Sequence, residues 1–314
     1  MHILITGGSG FIGSHLVGRL LKEGEYVTVI DNYNDFYDPQ LKRRNSAQWK
    51  SHKCYQEWEG DIVDVSFINN VFKKQAFDVV IHLAARAGVR PSIVEPRLYE
   101  QVNVLGTINL LEACKDFGVK KFIFGSSSSV YGRASKVPFS ETDALRNPIS
   151  PYAATKIAGE VLCHTYNALY KTEVVSLRFF TVYGPSQRPE MAIHQFARKI
   201  LKEEPITIFG DGSSRRDYTY VDDIVDGIML VLRGSFQDEI FNLGNSRTTE
   251  LLKLVQLLEQ NLHKNAQIVF KPDQPGDVPI TYADLTKSKK ELGYNPKISI
   301  EEGVKRFCYW IKSN

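Results

Sequence analysis

The segment Tyr152-Ala-Ala-Thr-Lys156 sets a phenol and an amine four residues apart, which on a helix is one turn and one face. A tyrosine of ordinary pKa, about 10, is a poor base at neutral pH. A neighbouring ammonium, together with the positive nicotinamide of an oxidised dinucleotide, favours the phenolate. Such a phenolate can take the proton of an alcohol while the same carbon gives up hydride. Upstream, Gly125-Ser-Ser-Ser-Ser-Val-Tyr-Gly132 follows a strand predicted over Lys121 to Gly125, and one of its serines would hold the alcohol in line. Tyrosine and lysine at this spacing are common on helices and mean nothing alone. The pair acquires meaning if the chain also holds a dinucleotide.

The first 31 residues supply that holder. The run Ile3 to Ile5 suits a strand buried on both faces of a parallel sheet. Gly7, Gly10 and Gly13 then fall three apart as the chain enters an amphipathic segment with Phe11, Ile12, Leu16, Leu20 and Leu21. A pyrophosphate needs bare backbone N–H groups and the partial positive charge of a helix N-terminus. Gly7 and Gly10 permit the turn and the close approach, and Gly13 lets the helix lie against the sheet. The second strand ends at Asp31, where a carboxylate accepts both ribose hydroxyls and repels a 2′-phosphate, so NAD is expected rather than NADP.

Further along, a polar segment from Asn32 reads as a loop running into a short helix, and a third strand covers Tyr55 to Glu59. Asp61 then has two open readings, a partner for the adenine amino group or a cap for a helix from Ser66. Asp78 to Ala85 is the fourth strand, ending in small residues that leave room beside a cofactor, and a helix follows from about Leu98 to Asp116. Expected cofactor contacts are Gly7, Gly10, Phe11, Ile12, Gly13, Asp31, Asn32, Asp61, Ile62, Leu83, Ala84 and Ala85, with Tyr152 and Lys156. This alternation predicts an α/β fold, a doubly wound parallel Rossmann sheet with right-handed crossovers and its ligand at the strands' carboxyl ends. Residues 1–180 are assigned to it, and part of 209–244 is expected to return to the sheet. Residues 181–314 are read as a smaller α/β substrate-binding lobe, with Pro272 to Pro279 as a rigid loop.

Composition excludes several classes. A formal net charge of +3 over 314 residues, with only the short cluster Lys42-Arg43-Arg44, gives no case for nucleic acid. No apolar run approaches the ~20 residues of a membrane span, and Ile3–Ile5 leads into the glycine turn rather than a cleavage site. Cys54, Cys114, Cys163 and Cys308 are scattered, as reduced thiols of a cytoplasmic protein would be. No histidine or cysteine spacing suggests a metal, and His82, inside a strand, reads as structural.

Gly7-x-x-Gly10-x-x-Gly13, His82-Leu-Ala-Ala, Asn103-Val-x-Gly-Thr, Ser-Ser-Ser-Val-Tyr-Gly, Tyr-x-x-x-Lys and Arg216-Asp-Tyr together resemble the extended short-chain dehydrogenase/reductases, over the whole chain. Within them the chain is most similar to nucleotide-sugar 4-epimerases. That resemblance implies a tightly held NAD, a UDP-sugar substrate and a homodimer joined through helices near Asn103–Asp116 and Tyr152–Leu169. It implies Ser127 as the catalytic serine, Tyr152 as the base, and Lys156 as the residue that holds the nicotinamide ribose and lowers the tyrosine pKa. Related 4,6-dehydratases carry an Asp-Glu pair where Ser128 and Ser129 stand here, so elimination of water is not expected.

Three segments resemble UDP-glucuronate 4-epimerases in particular: Asp31 to Arg43, Arg178-Phe-Phe-Thr-Val-Tyr-Gly-Pro, and Arg188-Pro-Glu-Met-Ala. A 4-keto uronate is a β-keto acid that loses CO₂ if its carboxylate is desolvated and turned out of plane. Thr181, Ser128 and Ser129 could pin that carboxylate, although the two serines could equally bond backbone at a strand end. UDP-glucose/UDP-galactose epimerisation and UDP-glucuronate decarboxylation are the alternatives. For the nucleotide the resemblance points to Arg216 on the pyrophosphate, with Arg188 a second candidate, and to Asp277 on the uridine ribose. Gln274 stands where some epimerases have arginine. Arg90 faces the substrate or solvent, and Phe209 lies against the uracil or in the core.

Overall fold

A computed structural model describes residues 1–133, 136–272 and 278–313. Seven strands form its central sheet: β1 (His2–Thr6), β2 (Tyr26–Asp31), β3 (Tyr55–Glu59), β4 (Val79–His82), β5 (Lys121–Ser127), β6 (Glu173–Phe179) and the edge strand Asp238–Leu243. They lie in the order edge strand, β6, β5, β4, β1, β2, β3, and every neighbouring pair is parallel. Direction of winding reverses between β1 and β4, which opens a crevice at the carboxyl ends of those strands.

Strand alternation builds two cores, one on each face. Ile3 and Ile5 of β1, Val27 and Val29 of β2, and Val79 and Ile81 of β4 point to one, with Leu16 and Leu20 of the helix Phe11–Lys22. Leu4, Ile30, Val80, Phe122 and Phe124 point to the other, against Ile68, Val71, Leu110 and Leu111. Both faces are covered, so these strands are apolar on both sides rather than alternating with polar residues.

Smaller sheets follow β6. Thr181–Tyr183 pairs with Tyr218–Tyr220, Arg215–Arg216 lies between Thr249–Glu250 and Ile280–Thr281, and Ile206–Phe209 pairs with Ile268–Lys271. Asp217 knits this region. Its buried carboxylate accepts from the N–H of Asn245 (2.7 Å), Ser246 (2.9 Å) and Ala283 (3.1 Å) and from Thr219 Oγ1 (3.0 Å). Among the described residues no helix is long and apolar enough to cross a membrane, and no group of three or more His, Cys, Asp or Glu is placed to hold a metal ion.

Several element ends differ from the expectation. β5 runs on through Ser126 and Ser127, while β4 stops at His82. The helix expected from Ser66 is Val65–Lys74, and its cap is Asp64, whose Oδ1 accepts from Phe67 N at 3.0 Å. Asp61 is therefore not that cap. The helix expected over Leu98–Asp116 extends from Pro96 to Phe117, with a π-helical turn at Gln101–Leu105. Such wide turns often mark functional positions. Here the turn carries buried Asn103, which accepts from Arg86 N (2.8 Å) and donates to Arg86 O (2.9 Å) and Thr155 Oγ1 (3.1 Å). It thereby joins the loop after β4 to the helix Pro151–Tyr170.

Candidate active site

The glycine turn is shaped by what cannot fit in it. Gly7 sits at φ +71°, and a Cβ there would lie 2.7 Å from Ala84 N, at the end of β4. A Cβ on Gly13 would lie 2.3 Å from Gly7 O, so the helix packs backbone to backbone against the turn. At Gly10 the one near atom is Gly7 O at 3.2 Å, and the residue lines the cavity in front of the helix. That N-terminus has no side-chain cap. Bare N–H groups, helix polarity and open space suit a diphosphate.

Asp31 receives Ser9 N (3.3 Å) and Tyr33 N (3.0 Å), one on each oxygen, and is buried. Burial raises its pKa, while the Lys42 charge acts against that. Asn32 Nδ2 donates to Asp61 Oδ2 at 2.9 Å, and Asp61 Oδ1 takes Val63 N at 2.9 Å. Asp61 thus braces Asn32, and both line the cavity in front of the glycine turn.

At the other end, Ser150 caps the helix Pro151–Tyr170 by accepting from Ala153 N at 3.1 Å, and this starts Tyr152 in the first turn. Tyr152 is half-buried and meets fully buried Tyr99 edge to face, ring centroids 6.2 Å apart. Lys156, one turn on, is buried and donates from Nζ to Gly125 O at 2.6 Å. Its pKa is pushed down to about 8 by burial, against the pull of Glu160. Ser127 ends β5 and caps the short turn Ser128–Tyr131: its Oγ accepts from Ser129 N and donates to Ser129 Oγ, both at 3.1 Å. Ser129 therefore does bond the strand end through its backbone, while its side chain and that of Ser128 still border the cavity.

Burial raises the Tyr152 pKa, and the groups that oppose this are the Ser127 hydroxyl and the Arg188 charge. The sequence reading gave that task to Lys156 together with the positive nicotinamide of the cofactor. In the structure the Lys156 ammonium is drawn onto the Gly125 carbonyl instead.

One cavity of about 370 Å³, the size of a small-molecule site, collects these groups. It is lined by Ser127, Tyr152 and Lys156, by every expected cofactor contact (Gly7, Gly10, Phe11, Ile12, Gly13, Asp31, Asn32, Asp61, Ile62, Leu83, Ala84 and Ala85), and by Ser128, Ser129, Thr181 and Arg188. Arg90, Phe209 and Arg216 lie outside that lining. Arg90 sits over the Phe209 ring at 4.7 Å, and Arg216 Nη1 donates to Arg215 O at 3.0 Å and to Pro279 O at 3.4 Å. Asp277 and Gln274 fall outside the described residues.

The sequence reading missed Asn34, Phe36, Tyr37, Lys42 and Met191, which also line the cavity. Lys42 Nζ folds back onto Asn34 O (3.0 Å) and Asn34 Oδ1 (3.1 Å), and so holds the loop after β2 against the cavity. A lysine in a polar segment gives no periodic signal that it turns inward. His82, by contrast, is a satisfied core residue. Thr107 Oγ1 donates to Asn103 O and so accepts from His82 Nε2–H (3.0 Å), which leaves Nδ1 to accept from Thr6 Oγ1 (2.7 Å).

Comparison with known proteins agrees with this geometry. A family model described as GDP-mannose 4,6 dehydratase matches residues 4–307. A UDP-glucuronate 4-epimerase of Thermodesulfobacterium geofontis is 43% identical over 314 residues, spanning 100% of this chain and 97% of that protein. The crystal structure of UDP-glucuronic acid 4-epimerase from Bacillus cereus in complex with UDP-glucuronic acid and NAD superposes with a TM-score of 0.94 at 39% identity, covering 100% and 99% of the two chains. A UDP-glucose 4-epimerase of Thermotoga maritima, solved with UDP-glucose, gives 0.92 at 36% identity over 100% and 99%. With a glycine turn built for a dinucleotide and full-length likeness to these enzymes, the chain belongs to the NAD-dependent nucleotide-sugar 4-epimerases.

Proposed function

We propose that this epimerase acts on a uronate, interconverting UDP-glucuronate and UDP-galacturonate. The observation that carries the reading is the chemistry of the cavity's sugar end. Ser127, Ser128, Ser129 and Thr181 offer hydroxyls there and Arg188 a cation, whereas the acids lining the cavity among the described residues, Asp31 and Asp61, are on the β2 and β3 side. Hydroxyl and guanidinium donors with no carboxylate among the neighbouring lining residues suit an anionic sugar. Arg188 is paired with Glu190 at 3.0 Å.

NAD, when bound, accepts and returns the hydride of C4 and brings a positive ring that favours the tyrosine phenolate. Tyr152 takes the 4-hydroxyl proton and returns it to the same oxygen when, after the sugar has turned about its pyrophosphate, C4 regains the hydride on its opposite face. Ser127 orients that hydroxyl, and Lys156 holds the ribose beside it. Ser128, Ser129 and Thr181 keep the carboxylate in hydrogen bonds so that CO₂ is not lost. Arg216 is assigned to the pyrophosphate, with Arg188 as second candidate, Asp277 to the uridine ribose, Phe209 to the uracil and Arg90 to the substrate.

NMR of UDP-glucuronic acid with the purified protein and no added cofactor tests the reading. UDP-galacturonic acid is the expected product. A UDP-pentose would mean the hydroxyls do not protect the carboxylate. Inertness, with conversion of UDP-glucose to UDP-galactose, would move the substrate to the neutral sugars that the Thermotoga relative was solved with.

A homodimer is part of the same proposal. Val161 (58% exposed) and Leu169 (64%) lie on the helix Pro151–Tyr170, and Leu105 (39%) lies at the start of Gly106–Phe117. These apolar side chains support pairing across that face. Sedimentation should give twice the 35.6 kDa chain mass, and a monomer at micromolar concentration would refute it.

A further inference from the structure

Glu160 stands one turn beyond Lys156 on the helix Pro151–Tyr170, so Tyr152, Lys156 and Glu160 share one face. Its side chain is 5% exposed and that of Arg178, on β6, is 2% exposed. Arg178 Nη2 reaches Glu160 Oε2 at 2.7 Å and Nε reaches Oε1 at 2.9 Å, a two-pronged pair. The same Oε1 accepts from Ser126 Oγ at 2.5 Å. Ser126 adjoins Ser127, and on its other side Gly125 O holds Lys156 Nζ. Two ties one turn apart thus pin the helix to the end of β5, at Gly125 and Ser126, the two residues before Ser127.

A buried ion pair is a poor device for stability, since well-packed apolar residues of like volume commonly serve as well or better. What it supplies is a fixed register. Arg178 Nη1 continues to Tyr131 OH (3.0 Å), whose hydroxyl donates to Asn242 Oδ1 (2.6 Å), and Asn242 Nδ2 donates to Phe139 O (2.9 Å) and Asp284 O (3.2 Å). The tie is therefore braced from the edge strand and the C-terminal part of the chain.

We propose that Glu160 is a positioning residue for epimerisation: held by Arg178, its carboxylate ties the helix bearing Tyr152 and Lys156 to the strand end bearing Ser127. This rests on the roles assigned above to Ser127, Tyr152 and Lys156. A second effect is electrostatic. The groups acting on the Lys156 ammonium are Glu160 and Cys163 of its own helix, and it acts in turn on His82 of β4. Glu160 works against the burial that lowers the Lys156 pKa to about 8. Without that negative charge the lysine loses its proton at lower pH, so the alkaline limb of turnover moves to lower pH.

The test compares wild type, Glu160→Gln and Ser126→Ala on whichever UDP-hexose the wild type turns over. Glu160→Gln should keep its NAD and its KM while kcat falls on the order of tenfold to a hundredfold, as small misplacements of reacting groups do. Its alkaline limb should move to lower pH. Ser126→Ala removes the tie but not the charge, so its kcat should fall severalfold with the limb in place. Wild-type kcat in both variants would overturn the proposal. So would a fall in Glu160→Gln with an unmoved limb, which is what loosened packing alone would give. If Glu160→Gln fails to fold, Ser126→Ala decides: unchanged kcat at an unchanged melting temperature refutes the tie. A Tyr152→Phe variant that still turns over would remove the assigned roles themselves, which is a separate failure.

Discussion

Replacing Tyr152 by phenylalanine should abolish epimerisation, a loss on the order of 10²–10⁴ in kcat or more, while the protein stays folded with its NAD. The ring is retained, so the edge-to-face contact with Tyr99 and the packing of the helix start survive. What disappears is the phenol that lines the cavity with Ser127 and Lys156. The acids that border the cavity among the described residues, Asp31 and Asp61, lie toward β2 and β3 and cannot take over the proton. Progress curves by NMR, with nucleotide released from heat-denatured protein to measure bound NAD, check both halves. Turnover within about tenfold of wild type would place the base elsewhere. Because burial alone holds the Tyr152 pKa up, the phenolate depends on charge brought to the cavity. The same variant without NAD would leave the question open, so the cofactor measurement is part of the test.

Gly13→Ala should remove the cofactor itself. An added Cβ would stand 2.3 Å from Gly7 O and 2.7 Å from Gly8 Cα, both backbone atoms in a turn that cannot retreat. Either the helix Phe11–Lys22 lifts or the turn opens, and both displace the N–H groups that face the diphosphate. We expect no co-purifying NAD, activity down by two orders of magnitude or more without added cofactor, and about 1–3 kcal/mol of lost stability from overpacking. Gly10→Ala is the contrast. Its Cβ meets only Gly7 O at 3.2 Å and borders the cavity, so NAD should weaken while the melting temperature holds. Equal NAD content in Gly13→Ala and wild type would mean the turn is not the cradle described here.

Much of the site was legible because it is written in local patterns. A strand, three glycines at fixed spacing, a helix and a terminal acid recur close together in the chain, and each step is decided by neighbours a few residues away. Every cofactor contact named from the sequence lines one cavity for that reason. Tyr152 and Lys156 could also be named from their four-residue spacing on a helix, and Ser127 from the resemblance of its serine segment. Element ends were less legible. The extra two residues of β5 and the π turn at Gln101–Leu105 follow from pairing with β6 and from the Asn103 bonds, which no local signal announces.

By itself, then, the sequence determined the glycine turn and the parallel α/β class, and it picked out Ser127, Tyr152 and Lys156, which line one cavity, because backbone sterics and hydrophobic periodicity act over short spans. Only the tertiary structure decided that Lys42 turns inward onto Asn34, that Arg188 reaches the tyrosine's surroundings, and that Glu160 is a buried partner of Arg178 and Ser126 rather than a solvated helix acid. Those outcomes depend on which distant elements meet, and on the cost of burying a charge there without a partner. Such a cost is set by three-dimensional surroundings, and an isolated polar residue in a sequence carries no record of them.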